Sequence, residues 1–247
     1  PVVEEYAQLQ RSQLLEYYKK AYQPANCTLV VSGKVSETTL KSMNATFGNN
    51  WEGSTAVDKN EFSFITGTGK THFLERPDAL QSALRLGQIA INRTHPDFPA
   101  LQVLNTIFDG YFGSRLMANI REDKGYTYGI GSGIASLKDA GYFFIASEVG
   151  ADVCTAAIAE IEKEMKLLRT VLVSEGELAL VRNYMLGSLL GSLENAFSHA
   201  DKFKNTYFFG LNASYYERYV QTVRTISPQR LLELANTYLQ FDKLEKV

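Results

Sequence analysis

The sequence predicts an α+β fold, and three observations predict it. Apolar residues recur at helical spacing in several segments, as at Ile161, Met165, Leu168 and Leu172. Compact β-branched runs stand between them, and two flank "KDAG" (138–141), which has the chemistry of a hairpin turn. A weak internal repeat relates "SQLLEYYKKAYQPANCTLVV" (12–31) to "PQRLLELANTYLQFDKLEKV" (228–247). Each copy reads as a helix with a Leu-Leu pair, a short polar connection and the start of an apolar strand.

The first elements form a short helix–strand–helix unit. Leu9, Leu14, Leu15, Tyr18 and Tyr22 place a helix over 8–22, which Pro24 ends. "CTLVVSG" (27–33) reads as a strand closed by Gly33. Ser36 caps a helix to about Phe47, with Leu40, Met43 and Phe47 as its apolar stripe. Residues 48–60, polar and rich in Gly and Asn, read as a linker.

A longer unit comes next. Residues 69–77 and 82–91 read as strands. A helix starts at Pro96-Asp97 and stops at Gly110, and another runs from Ser114 to Gly125. Strands 126–137 and 142–149 flank the hairpin turn, and a helix covers 152–172. Ser174 and Glu177 have capping-box spacing, which predicts one long helix to about residue 200. Gly187 and Gly191, four apart on it, predict close helix packing. Ser227-Pro228 opens the last helix, and the strand that should follow has only begun where the sequence reaches Val247. A sheet with an uncovered edge exposes backbone donors and acceptors. Strand 27–33, or a neighbouring chain in a dimer, is expected to fill that edge.

Composition narrows the chemistry. The 247 residues are 45% hydrophobic and 21% charged with a net charge of −2, ordinary globular values. No cluster of positive charge marks a nucleic-acid or membrane partner, and no apolar run is long enough to span a bilayer. Cys27 and Cys154 cannot make a disulfide framework and are expected as buried thiols. The sequence starts without Met inside what reads as continuing structure, so it is expected to be a piece of a longer protein.

Familiar catalytic signatures are missing from the sequence. His72, His95 and His199 are scattered, and neither His-Glu-x-x-His nor His-x-x-Glu-His occurs. There is no Gly-x-Ser-x-Gly elbow and no phosphate-cradling loop. One stretch survives, "NIREDKGYTYGIGSG" (119–133). Arg121 belongs to the last turn of its helix, Gly125 fits the left-handed position beyond it, and Tyr126, Tyr128 and Ile130 alternate onto one sheet face. A guanidinium and a phenol converging there could hold a peptide carbonyl or a developing oxyanion. The competing reading is an Arg121 that neutralises Glu122 or Asp123 locally, beside a Tyr128 in the core.

"YFGSRLMANIREDKGYTYGIGSG" (111–133) resembles the signature of the C-terminal, non-catalytic domain of the pitrilysin/insulinase family of zinc peptidases, which includes the mitochondrial processing peptidases. Ser114, Leu116, Arg121, Glu122, Gly125 and Tyr128 match in register, with Ile120 where Leu is common. "LLEYYKKAYQPANCTLVVSGKVSETTLKSMNATFG" resembles the end of the family's first domain, and "LGSLLGSLENAFSHADKFKNTYFFG" resembles the long helix of its second.

The resemblance implies paired α+β domains, each an antiparallel-rich mixed sheet with helices packed on one face. It implies that residues 1–50 are the tail of a preceding catalytic-type domain. Residues 51–60 would then be a linker and 61–247 the non-catalytic domain, lacking its last strand. By the same resemblance, zinc belongs to the missing catalytic half, supplied in cis or in trans, and no metal is expected in this segment. Arg121 and Tyr128 would contact a peptide or unfolded polypeptide substrate, with Tyr126 as supporting structure. The alternatives are a non-catalytic subunit of a heteromeric peptidase and a structural scaffold of the same fold.

Overall fold

The computed structural model describes residues 3–48, 51–53, 64–65, 67 and 69–247. Most of the expected linker at 51–60 lies outside them. The chain divides into two compact units, residues 1–64 with 195–201, and residues 65–194 with 202–247.

Among the described residues of 1–64 the first unit has the helices α1 (Val3–Ala7), α2 (Arg11–Ala21) and α3 (Glu37–Phe47). Pro24 begins a single 3-10 turn just past α2, so the break expected there occurs. The Ser36 hydroxyl accepts a hydrogen bond from the Thr39 N–H at 3.1 Å and caps α3 as its sequence position requires. Neither α2 nor α3 buries a residue. Residues 27–33, expected as a strand, form none. A β-branched run becomes a strand by pairing and packing rather than by propensity alone, and this run pairs with no described strand. Its Leu29 and Val31 are exposed, and Cys27 is exposed rather than buried, for the same reason.

The second unit is an antiparallel sheet covered by helices. Strands β1 (Gln81–Ala90), β2 (Thr127–Ser136), β3 (Gly141–Gly150) and β4 (Glu245–Lys246) lie in the order β2-β3-β1-β4. The expected hairpin joins β2 to β3, closed by the Leu137 N–H on the Ala140 carbonyl at 2.8 Å. Its register sets Ile134 opposite Phe143 and Ser132 opposite Ile145. Alternation does the rest. Phe143, Ile145, Ser147 and Val149 of β3 are buried, while Tyr142, Phe144 and Glu148 between them are exposed. Helices therefore cover one face and leave the other open.

The covering layer comprises α4 (Phe98–Asp109), α5 (Cys154–Thr170), α6 (Glu175–Gly191), α8 (Ser214–Thr225) and α9 (Pro228–Tyr238), while α7 (Ala196–Tyr207) begins in the first unit and enters the second at Lys202. Leu104, Ile107 and Phe108 of α4 are fully buried among Ile145, Met165, Leu168 and Leu231. Three expectations change here. Residues 69–77 form no strand beyond a single parallel bridge from Thr71 to Lys246. The long helix expected over 174–200 is two helices. α6 ends at Gly191 and Asn195 restarts the chain, its side chain accepting from the Ser198 N–H at 3.0 Å. A methyl group on Gly187 would meet nothing within 4 Å, so these glycines mark open surface and not close packing.

Part of the edge beyond β1 is paired by the chain itself. Leu86 pairs with Lys246 and Gly87 with Glu245, and the Lys246 N–H donates to the Lys70 carbonyl at 2.9 Å. The occupant is thus β4 with its neighbour at Lys70–His72, rather than strand 27–33.

Candidate functional site

The segment carrying Arg121 is wound more loosely than its sequence predicts. Met117–Asp123 forms a π-helix, marked by the Lys124 N–H bonding five residues back to the Asn119 carbonyl at 2.9 Å. π-turns are rare and concentrate at functional positions. Neighbouring contacts hold this one. Ile120 is wholly buried. The Asn119 amide donates to Glu160 at 2.9 Å and Glu164 at 2.8 Å on α5. Arg115, just upstream, makes a two-pronged bond to Glu177 on α6, both contacts 2.8 Å. Glu177 is therefore committed to Arg115, and the capping box expected with Ser174 is only half made. The Ser174 hydroxyl still accepts from the Glu177 N–H at 3.2 Å.

Gly125 ends the π-helix with φ of +65°, the left-handed conformation expected of it. The Tyr126 N–H then bonds back to the Ile120 carbonyl at 3.0 Å, which folds the start of β2 beside the helix end.

Tyr128 does not share a face with Tyr126 and Ile130, because a β-bulge intervenes. Thr127 is opposite Val149 and Ile130 opposite Ser147, so three steps on β2 match two on β3. The Thr127 hydroxyl holds the bulge by donating to the Glu148 carbonyl at 2.6 Å and accepting from the Gly129 N–H at 3.1 Å. Ser147 adds a bond to the Gly129 carbonyl at 2.9 Å. The result returns Ile130 to the core and turns Tyr128 outward, with 93% of it exposed. Tyr126 packs half-buried against the core.

Arg121 and Tyr128 flank one turn, but they make no contact with each other. The Arg121 guanidinium stacks over Phe112, 4.8 Å from the ring centre, and its Nη1 lies 2.9 Å from Glu122 Oε1. Nη1 is buried, and that ion pair is not aligned as a hydrogen bond. Tyr128 instead lines a concavity of about 480 Å³ with Gln81, Lys124, Gly125 and Asp152, and Arg121 is not among its walls. The guanidinium is held by Phe112 while the phenol is free to be met.

One acid behind the turn escaped the sequence reading. Asp109 closes α4 and is buried, and burial pushes its carboxyl up to about 7 despite bonds from Ser114 and the Ser132 backbone. The Ser114 hydroxyl donates to Asp109 Oδ1 at 3.3 Å, while its carbonyl accepts from the Ala118 N–H at 2.9 Å and opens the following helix as expected. Asp109 Oδ2 is buried without a partner. The signal for Asp109 was present in Asp-Gly ahead of the signature, but it reads there as a helix stop.

The described side chains do not fit a zinc site. His72 Nε2 lies 3.2 Å from Glu245, and His95 Nδ1 accepts from the Asp97 N–H at 3.1 Å. Among the described residues no three His, Cys, Asp or Glu side chains are grouped to hold a metal. Nor is any helix among them long and apolar enough to cross a membrane.

Residues 8–185 match the sequence profile of the family described as the peptidase M16 inactive domain. A Bacillus subtilis protein named an uncharacterized zinc protease, YmxG, is 29% identical over 185 residues, which cover 74% of this chain and 44% of that protein. A second B. subtilis protein, named a probable inactive metalloprotease, YmfF, is 26% identical over 186 residues, covering 75% and 43%. The chain thus spans about half the length of the curated relatives it matches. A solved M16 inactive domain from Pseudomonas fluorescens superimposes with a TM-score of 0.87 at 24% identity, over 99% of this chain and 58% of that one. At that identity the match shows the fold.

Proposed function

The chain belongs to the peptidase M16 inactive-domain family, and from that premise we propose that it is the substrate-binding, non-catalytic half of a zinc metallopeptidase. Zinc and the general base would come from a catalytic half in cis or in trans, and Arg121 and Tyr128 would engage the substrate backbone. The observation that carries this reading is the bulge. The fold spends an irregular strand start, locked by Thr127 and Ser147, on presenting one phenol to solvent beside a π-helical arginine. Irregular backbone of this kind, fixed from several sides, is what a presented functional group needs.

Two further features support it. The open sheet face offers Ile89, Tyr142 and Phe144 as a wall suited to an extended polypeptide in a chamber between two halves. In the first unit, α2 and α3 show their apolar residues to solvent, as the tail of a preceding domain would if the rest of that domain packed on them. Residues 1–50 and 61–247 are accordingly proposed to belong to successive domains.

The test uses the protein together with its zinc-bearing half. Arg121→Ala and Tyr128→Phe are each expected to lower peptide turnover by about 100- to 1000-fold, the cost of removing an oxyanion-type donor, with zinc content unchanged. Full hydrolysis by both variants would remove the assignment. The name of YmfF favours a second reading, a non-catalytic subunit that lends its Arg and Tyr to a separate active chain. Activity that appears only when a zinc-bearing partner chain is added selects that reading.

A further inference from the structure

A second concavity lies in the helical layer, away from the Arg121–Tyr128 turn. It encloses about 320 Å³ between α4, α6, α7 and α8. Phe98 and Met185, both buried, give it an apolar floor. Its polar groups are almost all hydrogen-bond donors or hydroxyls, including Tyr215, Tyr216, Tyr219 and Ser188. Among the described residues its charged groups are Arg93 and Lys202, and no Asp or Glu lines it.

Among the described residues, the contacts that hold the two cations bring no carboxylate to them. Arg93 donates to the Asn205 carbonyl at 2.6 Å and stacks over Phe209 at 4.7 Å. Lys202 Nζ lies 5.7 Å from the ring centre of Tyr216. Burial and then the Arg93 charge push the Lys202 amine below the ordinary lysine range, and no acid offsets them. Burial, with Tyr215 beside it, pushes the Tyr219 phenol up to about 12, so that phenol stays a proton donor across the physiological range. Two like charges drawn into one concavity cost free energy that an anion between them would return. Arginine, lysine and phenol together supply a forked donor, a point charge and neutral donors, the set that encloses a small oxyanion.

We propose that this cavity, with Arg93 and Lys202 on its wall and Tyr219 beside them, binds a small molecule through a carboxylate or phosphate group, the Tyr216 hydroxyl being already donated to the Lys202 carbonyl at 3.1 Å. The apolar floor provides for a short carbon skeleton behind the anion. The site is independent of the peptidase reading and is tested without it.

The experiment titrates the chain with succinate and with inorganic phosphate, against sodium chloride at equal ionic strength. One readout is thermal stability. The other is the NMR signal of Lys202 after 13C-dimethylation, followed over pH. At least one of the two anions is expected to raise the melting temperature saturably and to move the Lys202 titration upward. Response to succinate alone assigns a carboxylate, and response to phosphate alone assigns a phosphate ligand. Lys202→Met should weaken that binding at least tenfold, and Tyr219→Phe should weaken it less. The proposal is overturned if chloride reproduces the effect, if neither anion moves the Lys202 signal, or if Lys202→Met binds as the parent does. The Lys202 titration is made on the unmutated chain, so the test stands even if the variant folds poorly.

Discussion

Helices α2 and α9 begin the two copies of the internal repeat. Each is 11 residues long and carries a Leu-Leu pair. In α9, Leu231, Leu234 and Ala235 are buried, and the chain continues into β4 on the edge of the sheet. In α2 nothing is buried, Leu14 is 56% exposed, and the following β-branched run pairs with no described strand. The same local pattern becomes core in one place and surface in the other because only one copy has a sheet to cover. Helical periodicity states which residues want burial, and the partner decides whether they get it.

The largest expected effect breaks this comparison directly. Leu231→Ala removes a fully buried side chain from the layer shared with α4 and α5 and should destabilise the second unit by about 2–5 kcal/mol. Leu14→Ala should change stability by less than about 0.5 kcal/mol. The single tryptophan, Trp51, lies in the first unit, so its fluorescence follows that unit while far-UV circular dichroism is dominated by the second. Equal losses from the two variants would mean that α2 is buried in solution.

A smaller effect concerns charge. Among the described residues the buried acids, Asp109 and Glu164, both lie in the second unit. Asp109 has its carboxyl raised from 3.8 to about 7, so the folded state holds a proton that the unfolded chain has released over that interval. Stability from this group is complete below about pH 4, falls as the pH rises toward about 7, and is level above that. The span is at most of order 4 kcal/mol. Asp109→Asn should flatten the profile and be the more stable protein at pH 8. Urea unfolding at pH 4.5 and pH 8 checks it, and a parent protein as stable at pH 8 as at pH 4.5 would contradict the burial argument.

Much of this architecture was legible in the sequence, and the parts that were not share a cause. Ser36, Ser227, Gly125 and the "KDAG" hairpin are local signals, satisfied by atoms within a few residues, and each acts as its chemistry predicts. Strand 27–33 and the unbroken helix to residue 200 failed because their outcome depends on neighbours distant in sequence or on a cap outweighed by periodicity. The turn proposed as the functional site falls between these cases. Arg121, Gly125 and Tyr128 could be named from their spacing. The outward turn of Tyr128 could not, because it depends on Ser147 across the sheet and on a hydroxyl at Thr127 that propensity reads only as a strand former. Phe112 beneath Arg121 was likewise hidden, as a loop aromatic with no periodic partner.

The smallest effect is the most controlled form of the comparison. Helices α3 and α9 are both 11 residues long, and each begins at a serine whose hydroxyl accepts a backbone N–H three residues on at 3.1 Å. Removing such a cap costs about 1 kcal/mol of helix stability wherever the helix is. The cost enters the cooperative transition only if the helix cannot open alone. α9 has Leu231 and Leu234 locked in the core, so Ser227→Ala should lower the stability of the second unit by the full amount of about 1 kcal/mol. α3 buries nothing, so its first turn can fray without disturbing the rest, and Ser36→Ala should shift the Trp51 transition by no more than a few tenths of a kcal/mol. Hydrogen exchange separates the two mechanisms. The Arg230 amide should exchange only with global opening of its unit, and the Thr39 amide by local fraying. Equal protection at both amides would show that α3 is held by contacts as extensive as those of α9.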